Sequence, residues 1–197
     1  MKEKSIIFNT EMVKAILEGR KTQTRRVIKP QPIFEGKQVE LKDVICFGYQ
    51  WKDTARGYCP FGKVGERLWV REAIRKSNIV HPEYGHRIEY VADDYRHPDA
   101  NWVWKKDYLP AMFMPYGLSR ITLEITDIKV ERVQEISCDD CYSEGFEEDT
   151  CENCCGAGVS KCHCIGETEK FKWGWNSIYG KDAWDKNEFV WVIEFRR

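Results

Sequence analysis

Lys21 and Thr24 stand three positions apart in Gly19-Arg20-Lys21-Thr22-Gln23-Thr24-Arg25-Arg26, a stretch that holds four cationic side chains and two hydroxyls in eight residues. These residue types suit two chemistries. A cation-rich segment creates a local positive field that attracts an anion, most commonly phosphate. A threonine hydroxyl becomes a nucleophile once a neighbouring base takes its proton. A lysine that is partly desolvated and crowded by other cations has a lowered pKa and can be that base. Arg25 or Arg26 would push Lys21 in that direction. In the phosphate reading, Arg20, Arg25, Arg26 and Lys29 grip the anion and Lys21 is one more phosphate-binding lysine. No acidic residue falls between Glu18 and Glu35. A solvated basic loop with neither role is a third reading of the same charge.

A second concentration of chemistry lies late in the chain. Seven of the nine cysteines fall between Cys138 and Cys164. Cys151-Glu152-Asn153-Cys154-Cys155-Gly156-Ala157-Gly158 fits Cys-x-x-Cys-x-Gly-x-Gly, and Cys162-His163-Cys164 follows. Two residues between cysteines let both thiolates reach one metal from a tight turn, and two such pairs complete a tetrahedral Zn²⁺ site. Cys151, Cys154, Cys162 and Cys164 are the expected ligands. An all-thiolate set is closed, which fits structural zinc, since catalytic sites keep an open position. A polar insert over residues 146–168 has little core of its own, so metal would have to hold it. Cys138-Asp139-Asp140-Cys141 is a rival pair, ranked lower because Cys141 faces inward on the expected helix. The first knuckle resembles half of the zinc-binding region of DnaJ-type chaperones; the second pair departs from it by having one intervening residue instead of two.

Composition sets the outer limits. The chain has 197 residues, 42% of them hydrophobic, and a formal net charge of −1. That suits one domain with an insert, and it confines any attraction for nucleic acid to a local patch. No apolar run reaches membrane-spanning length and the start lacks the pattern of a signal peptide, so a cytoplasmic protein without a membrane partner is expected. In a reducing compartment clustered cysteines point to metal. Cys46 and Cys59 stand alone and read as small buried hydrophobes.

The elements that must position these residues follow from periodicity. Ser5-Ile6-Ile7-Phe8 reads as a short buried strand. Asn9 or Thr10 caps a helix with Met12, Val13, Ile16 and Leu17 on one face, and Gly19 sits where its C-terminal cap belongs. The basic stretch then begins in turning backbone. Val44 to Gly48 reads as a weak strand, and Leu68 to Ile74 as a good one. In the latter Glu72 lies in an otherwise apolar row, where a carboxylate must be paired, terminal or functional; pairing with an arginine is the expectation. Residues 75–118 read as irregular and aromatic, apart from a strand near 87–92. Ser119 to Val133 alternates strictly, with a change of phase near Asp127 that suggests a bulge. A short helix from about Ser137 carries Glu144-Gly145. Phe171, Trp175 and Ile178 define a helix that Gly180 stops. Phe189 to Phe195 is apolar on nearly both faces, as a central strand would be.

Four segments together resemble the ASCH family, a PUA-like superfamily tied to RNA, and within it the longer phage and prophage members: Ile7-Phe8-Asn9 through Lys29-Pro30, Gly65 to Glu72, Met114-Pro115 through Ser137, and Trp175 through Phe195. The resemblance implies an α+β fold, a PUA-like mixed β-barrel with flanking short helices, spanning 1–197 as a single domain with the cysteine-rich insert inside it. Small bacterial members of the family are amidohydrolases that deacetylate N4-acetylcytidine. Their proposed catalytic set is a lysine and a threonine in Gly-x-Lys-Thr-x-Thr plus a glutamate on a later helix. The motif matches Lys21 and Thr24 without a gap, and the glutamate maps to Glu144. The chain departs from the phage members between Pro110 and Ser119, where Phe113 and Tyr116-Gly117 stand in place of a histidine and an arginine-tryptophan pair. The implied partner is RNA or a nucleoside. The alternatives are a non-catalytic RNA-binding module, and a phage assembly or host-interaction protein that docks a partner through the zinc insert.

Overall fold

The computed structural model describes residues 3–31, 59–146 and 166–197, apart from the side chain of Glu167. In chain order the elements are β1 (Lys4–Ile7), α1 (Thr10–Leu17), β2 (Gln23–Val27), β3 (Arg67–Arg71), β4 (Ile74–His81), β5 (Gly85–Tyr90), β6 (Arg96–Asn101), β7 (Tyr108–Leu109), β8 (Thr122–Arg132), α2 (Cys138–Ser143), α3 (Glu167–Tyr179) and β9 (Phe189–Arg196), with 3-10 turns at Ala111–Phe113, Tyr116–Leu118 and Val133–Glu135. The fold is mixed α+β with two sheets. The strand expected at Val44 to Gly48 lies outside the described residues. The chain divides into two compact units: Met1–Gly19 with Pro60–Thr126 and Phe195–Arg197, and Arg20–Cys59 with Asp127–Glu194.

In the first unit β1 runs parallel to β3, and β3 pairs antiparallel with the start of β8, Leu68 opposite Leu123. Ile6, Leu68 and Leu123 are buried there, whereas Ile7 is 43% exposed, so β1 is buried on one face only. Asn9 caps α1 as expected, its Oδ1 accepting from the Met12 N–H at 2.9 Å. Gly19 follows with φ +80°, a left-handed conformation that glycine adopts without a Cβ clash.

The expectation of one continuous strand over Leu68 to Ile74 is corrected. The chain leaves β3 at Arg71 and enters a second sheet at Ile74. At the break, the Glu72 N–H meets Met114 Sδ at 3.2 Å instead of a neighbouring strand. The expected arginine partner of Glu72 is present: Arg120 Nε and Nη2 donate to its two carboxylate oxygens at 2.9 Å each. Arg120 also donates twice to Asp93 at 2.8 Å and lies 4.1 Å from the centre of the Tyr90 ring.

Residues 75–118, expected to be largely irregular, hold the second sheet, in the order β6-β5-β4-β7 with every pairing antiparallel. Its core is Ile74, Ile88, Tyr90 and Met114, with Trp102 and Trp104 packed against them. The sheet was hard to read because its apolar residues are not all inside: Ile79 and Val80 near the hairpin tip are 57% and 58% exposed. Pro98 is accommodated because β6 is an outer strand and need not donate to a ladder on that side. Among the described residues neither sheet closes on itself, so the expectation of a closed β-barrel is corrected to two open sheets.

In the second unit β9 is flanked by β8 and β2, and Thr24 pairs with Ile193 and Val27 with Val190. The central place explains why β9 is apolar on both faces, with Val190, Val192 and Ile193 fully buried. Along β8 burial moves from odd positions, Leu123 and Ile125, to the even Val130, so the change of phase occurs within an unbroken strand. Phe171 and Trp175 of α3 pack with Val133, Ile136, Cys141, Val190 and Val192. Ile178, assigned to the same helix face, is 61% exposed and lies outside that core.

Candidate functional site

The second unit brings β2 and the end of α2 together. The Ser137 hydroxyl caps α2 by accepting from the Asp140 N–H at 3.1 Å, and the Asp140 carboxylate accepts in return from the Ser137 N–H at 3.2 Å. The helix ends at Glu144, and Gly145 follows at φ +93°. Helix C-termini leave carbonyls without partners, and cations satisfy them. Here Arg20 Nη1 donates to the Gly145 carbonyl at 3.0 Å and Lys21 Nζ to the Glu144 carbonyl at 2.7 Å. The Thr22 N–H donates to the Ser143 carbonyl at 2.9 Å. These bonds seat Lys21 against the last turn of α2.

Lys21 Nζ also donates to Glu144 Oε2 at 2.8 Å and to the Gln23 carbonyl at 2.8 Å. The two side chains are 1% and 6% exposed. Two of the three expected catalytic residues therefore meet. Burial pushes the Lys21 ammonium below its ordinary range; the Glu144 carboxylate opposes this, and Arg26 and Arg25 reinforce it. A lysine shifted this way gives up a proton more readily than a solvated one, and an acceptor oxygen lies within transfer distance.

Thr24 is 2% exposed on β2. Side chains alternate along a strand, and Arg25 Nη1 lies 3.4 Å from Gln23 Oε1 on their shared face. Thr24 therefore projects from the opposite side of β2, and none of the three Lys21 contacts above is to its hydroxyl.

Of the four residues expected to grip phosphate, Arg20 and Arg26 are partly exposed and Lys29 is exposed. Arg25 is 2% exposed. Its Nε donates to Glu131 at 2.8 Å, its Nη2 lies 3.1 Å from Asp140 Oδ2, and its Nη1 lies 3.3 Å from Glu144 Oε1. The Phe171 ring sits 6.0 Å from the guanidinium carbon. Burial raises the Glu131 carboxyl, with Arg25 opposing. For Asp140 burial also acts upward, but the hydrogen bonds with Ser137 and the charge of Arg25 outweigh it and hold the carboxyl below its usual range. Sequence reasoning missed Glu131 and Asp140. The capping box Ser137-x-x-Asp140 was a usable signal for the second; nothing local marks a partner 106 positions from Arg25.

The expected zinc ligands Cys151, Cys154, Cys162 and Cys164 lie outside the described residues. Of the rival pair, Cys138 is exposed and Cys141 buried, as the inward-facing reading requires. Burial pushes the Cys141 thiol up to about 11. Among the described residues no group of three or more His, Cys, Asp or Glu side chains is placed to hold a metal ion. No described helix is long and apolar enough to cross a membrane.

No protein-family model matches the chain, and neither a curated protein nor a solved structure shows significant similarity to it.

Proposed function

We propose that the chain is a cytoplasmic PUA-like protein of the ASCH type that binds RNA or a modified nucleoside and hydrolyses an N-acylated cytosine such as N4-acetylcytidine. The single observation that carries the reading is the buried contact of Lys21 Nζ with Glu144 Oε2 at 2.8 Å, between the lysine of the basic stretch and the glutamate that the resemblance implies. In the reaction a nucleophile adds to the acetyl carbonyl, Lys21 accepts its proton, and Glu144 returns a proton to the departing 4-amino group. With Thr24 as nucleophile the acetyl group passes to its hydroxyl oxygen, and water then releases acetate and restores the threonine. With water as nucleophile one step suffices. The direction of Thr24 on β2 makes this a live distinction, and Thr24→Val decides it: retained turnover assigns the attack to water. Lys29, which is exposed, and Arg20 and Arg26, which are partly exposed, are the cations that would meet phosphate. Zinc held by Cys151, Cys154, Cys162 and Cys164 would brace the insert, whose surface could receive a protein partner.

The test is acetate release from N4-acetylcytidine. Turnover by the wild type that Lys21→Ala abolishes supports the reading; wild-type release at the background rate overturns it.

One observation favours a second reading, a binding module without chemistry. Lys21 is 3% exposed, and its ammonium already donates to Gln23 and Glu144. In that reading the network only braces α2 against β2, while the exposed cations hold RNA. Binding that weakens steeply with salt in the absence of any turnover would establish it.

A further inference from the structure

The reading of Lys21 and Glu144 as a proton-transfer pair leaves Arg25 without a task, yet it is among the largest fully buried side chains in the chain. Its guanidinium takes hold of three carboxylates at once: Glu131 from β8, Asp140 within α2, and Glu144 at the end of α2. Its Nη1 sits 3.3 Å from Glu144 Oε1 while Lys21 sits 2.8 Å from Oε2 of the same carboxylate. The two oxygens of Glu144 are thus divided between two cations.

We propose that Arg25 is the positioning residue of the Lys21–Glu144 pair: it anchors one oxygen of Glu144, aims the other at Lys21, and is itself fixed by Glu131 and Asp140. A planar guanidinium holds five N–H donors in a fixed fork, whereas an ammonium offers three on a freely rotating group. Fixing Oε1 holds the carboxylate in one orientation, with Oε2 toward Lys21. The positive charge of Arg25 acts through the same contact. It repels the protonated form of Lys21, as Arg26 does, against the attraction of Glu144. The charged groups around Lys21 include Arg25, Arg26, Glu131, Asp140 and Glu144, with Lys129 acting on Glu131 and Asp140 and Arg20 bound at the adjacent Gly145 carbonyl. This inference rests on the proposed function for its purpose, but its test does not need turnover.

The experiment follows the 13Cε resonance of Lys21 against pH in selectively labelled protein, assigned by its disappearance in Lys21→Met. In the wild type the midpoint is expected below the ordinary lysine value of about 10.4. Arg25→Gln combined with Glu131→Gln removes one charge of each sign, and here the midpoint is expected to rise by about one pH unit as the repulsion is lost. Arg25→Lys keeps the charge but loses the fork, so its midpoint is expected to shift less than in the double variants. Because a polar pair of glutamines can fail to fold in a buried site, Arg25→Met with Glu131→Leu is the second variant, since apolar replacement of a buried ion pair is often tolerated; the same rise is expected. An unchanged midpoint in either double variant overturns the proposal. Failure of both double variants to fold assigns Arg25 to holding the unit together and overturns it equally. Absence of acetate release with the predicted shifts in place would instead defeat only the hydrolase reading.

Discussion

Lys21 Nζ and Glu144 Oε2 lie 2.8 Å apart although 123 positions of chain separate them. Neither side chain reaches solvent to any extent, so the pair is an ionic contact removed from water. Such contacts contribute little net stability compared with an apolar pair of the same size, but breaking one is costly because the surviving charge stays buried. A buried pair of this kind is therefore weak evidence for a net stabilising role.

That asymmetry gives the first prediction. Lys21→Met should destabilise the protein by about 3 kcal/mol, softened by Arg25 remaining on Glu144. Adding Glu144→Gln should restore part of the loss, so the double variant is more stable than the sum of the single changes. Urea denaturation of the four proteins in the cycle measures it. Additive losses would show the two groups to be independent.

In the first unit Tyr90 provides a pH prediction. Burial, helped by the Glu72 charge and opposed by Arg120, pushes its phenol up to about 12 from the ordinary 10. A raised acid favours the protonated form in the folded state. Its contribution is fully present below pH 10 and is lost as pH rises from 10 toward 12. Tyr90→Phe should flatten the fall in stability over that window. It should also cost about 1 kcal/mol at neutral pH by removing the hydroxyl donated to the Leu118 carbonyl at 2.7 Å. A melt series from pH 8 to pH 12 with the same slope in both proteins would contradict the assignment.

The cysteines separate by environment. Cys138 is exposed, and Cys141 is buried with its thiol pushed up to about 11. At pH 8 an alkylating reagent should modify Cys138 and spare Cys141 until urea is added, because the thiolate is the reactive form. Peptide mass mapping reads the result; equal modification of both would mean that α2 is not packed as described.

Zinc has its own check. The purified protein should carry about one equivalent of zinc, Cys151→Ser should lose it, and Cys138→Ser should keep it. Less than half an equivalent in the wild type would defeat the site, and loss in Cys138→Ser would move ligation to the rival pair.

Sequence made some of this legible and not the rest, for physical reasons. The helix cap at Asn9, the short helix after Ser137, the stop at Gly180 and the arginine partner of Glu72 all follow from local rules, and all are present. Lys21 was legible in the Gly-x-Lys-Thr-x-Thr stretch, whereas Glu144 was reached only through the family resemblance, which expects a glutamate on the later helix. Of the sheet at β4 to β7 only β5 was legible, as the strand near 87–92; the rest was hidden because the hairpin tip exposes Ile79 and Val80, which blurs the alternation that marks a strand. The role of Arg25 escaped because a run of cations reads as a solvated patch. Only β2 pairing with β9 shows that Gln23–Val27 is strand, with Arg25 turned inward. Tertiary context decided which cation of the run was buried.

The central claim is that Lys21 and Glu144 act as one catalytic unit on an N-acyl cytosine. Its most direct test is kcat/KM for deacetylation of N4-acetylcytidine by wild type, Lys21→Ala, Glu144→Gln and the double variant. The account predicts a loss of roughly 10²- to 10⁴-fold in each single variant and no further loss in the double, because residues that act together are not additive. Single variants that retain the wild-type rate would contradict it.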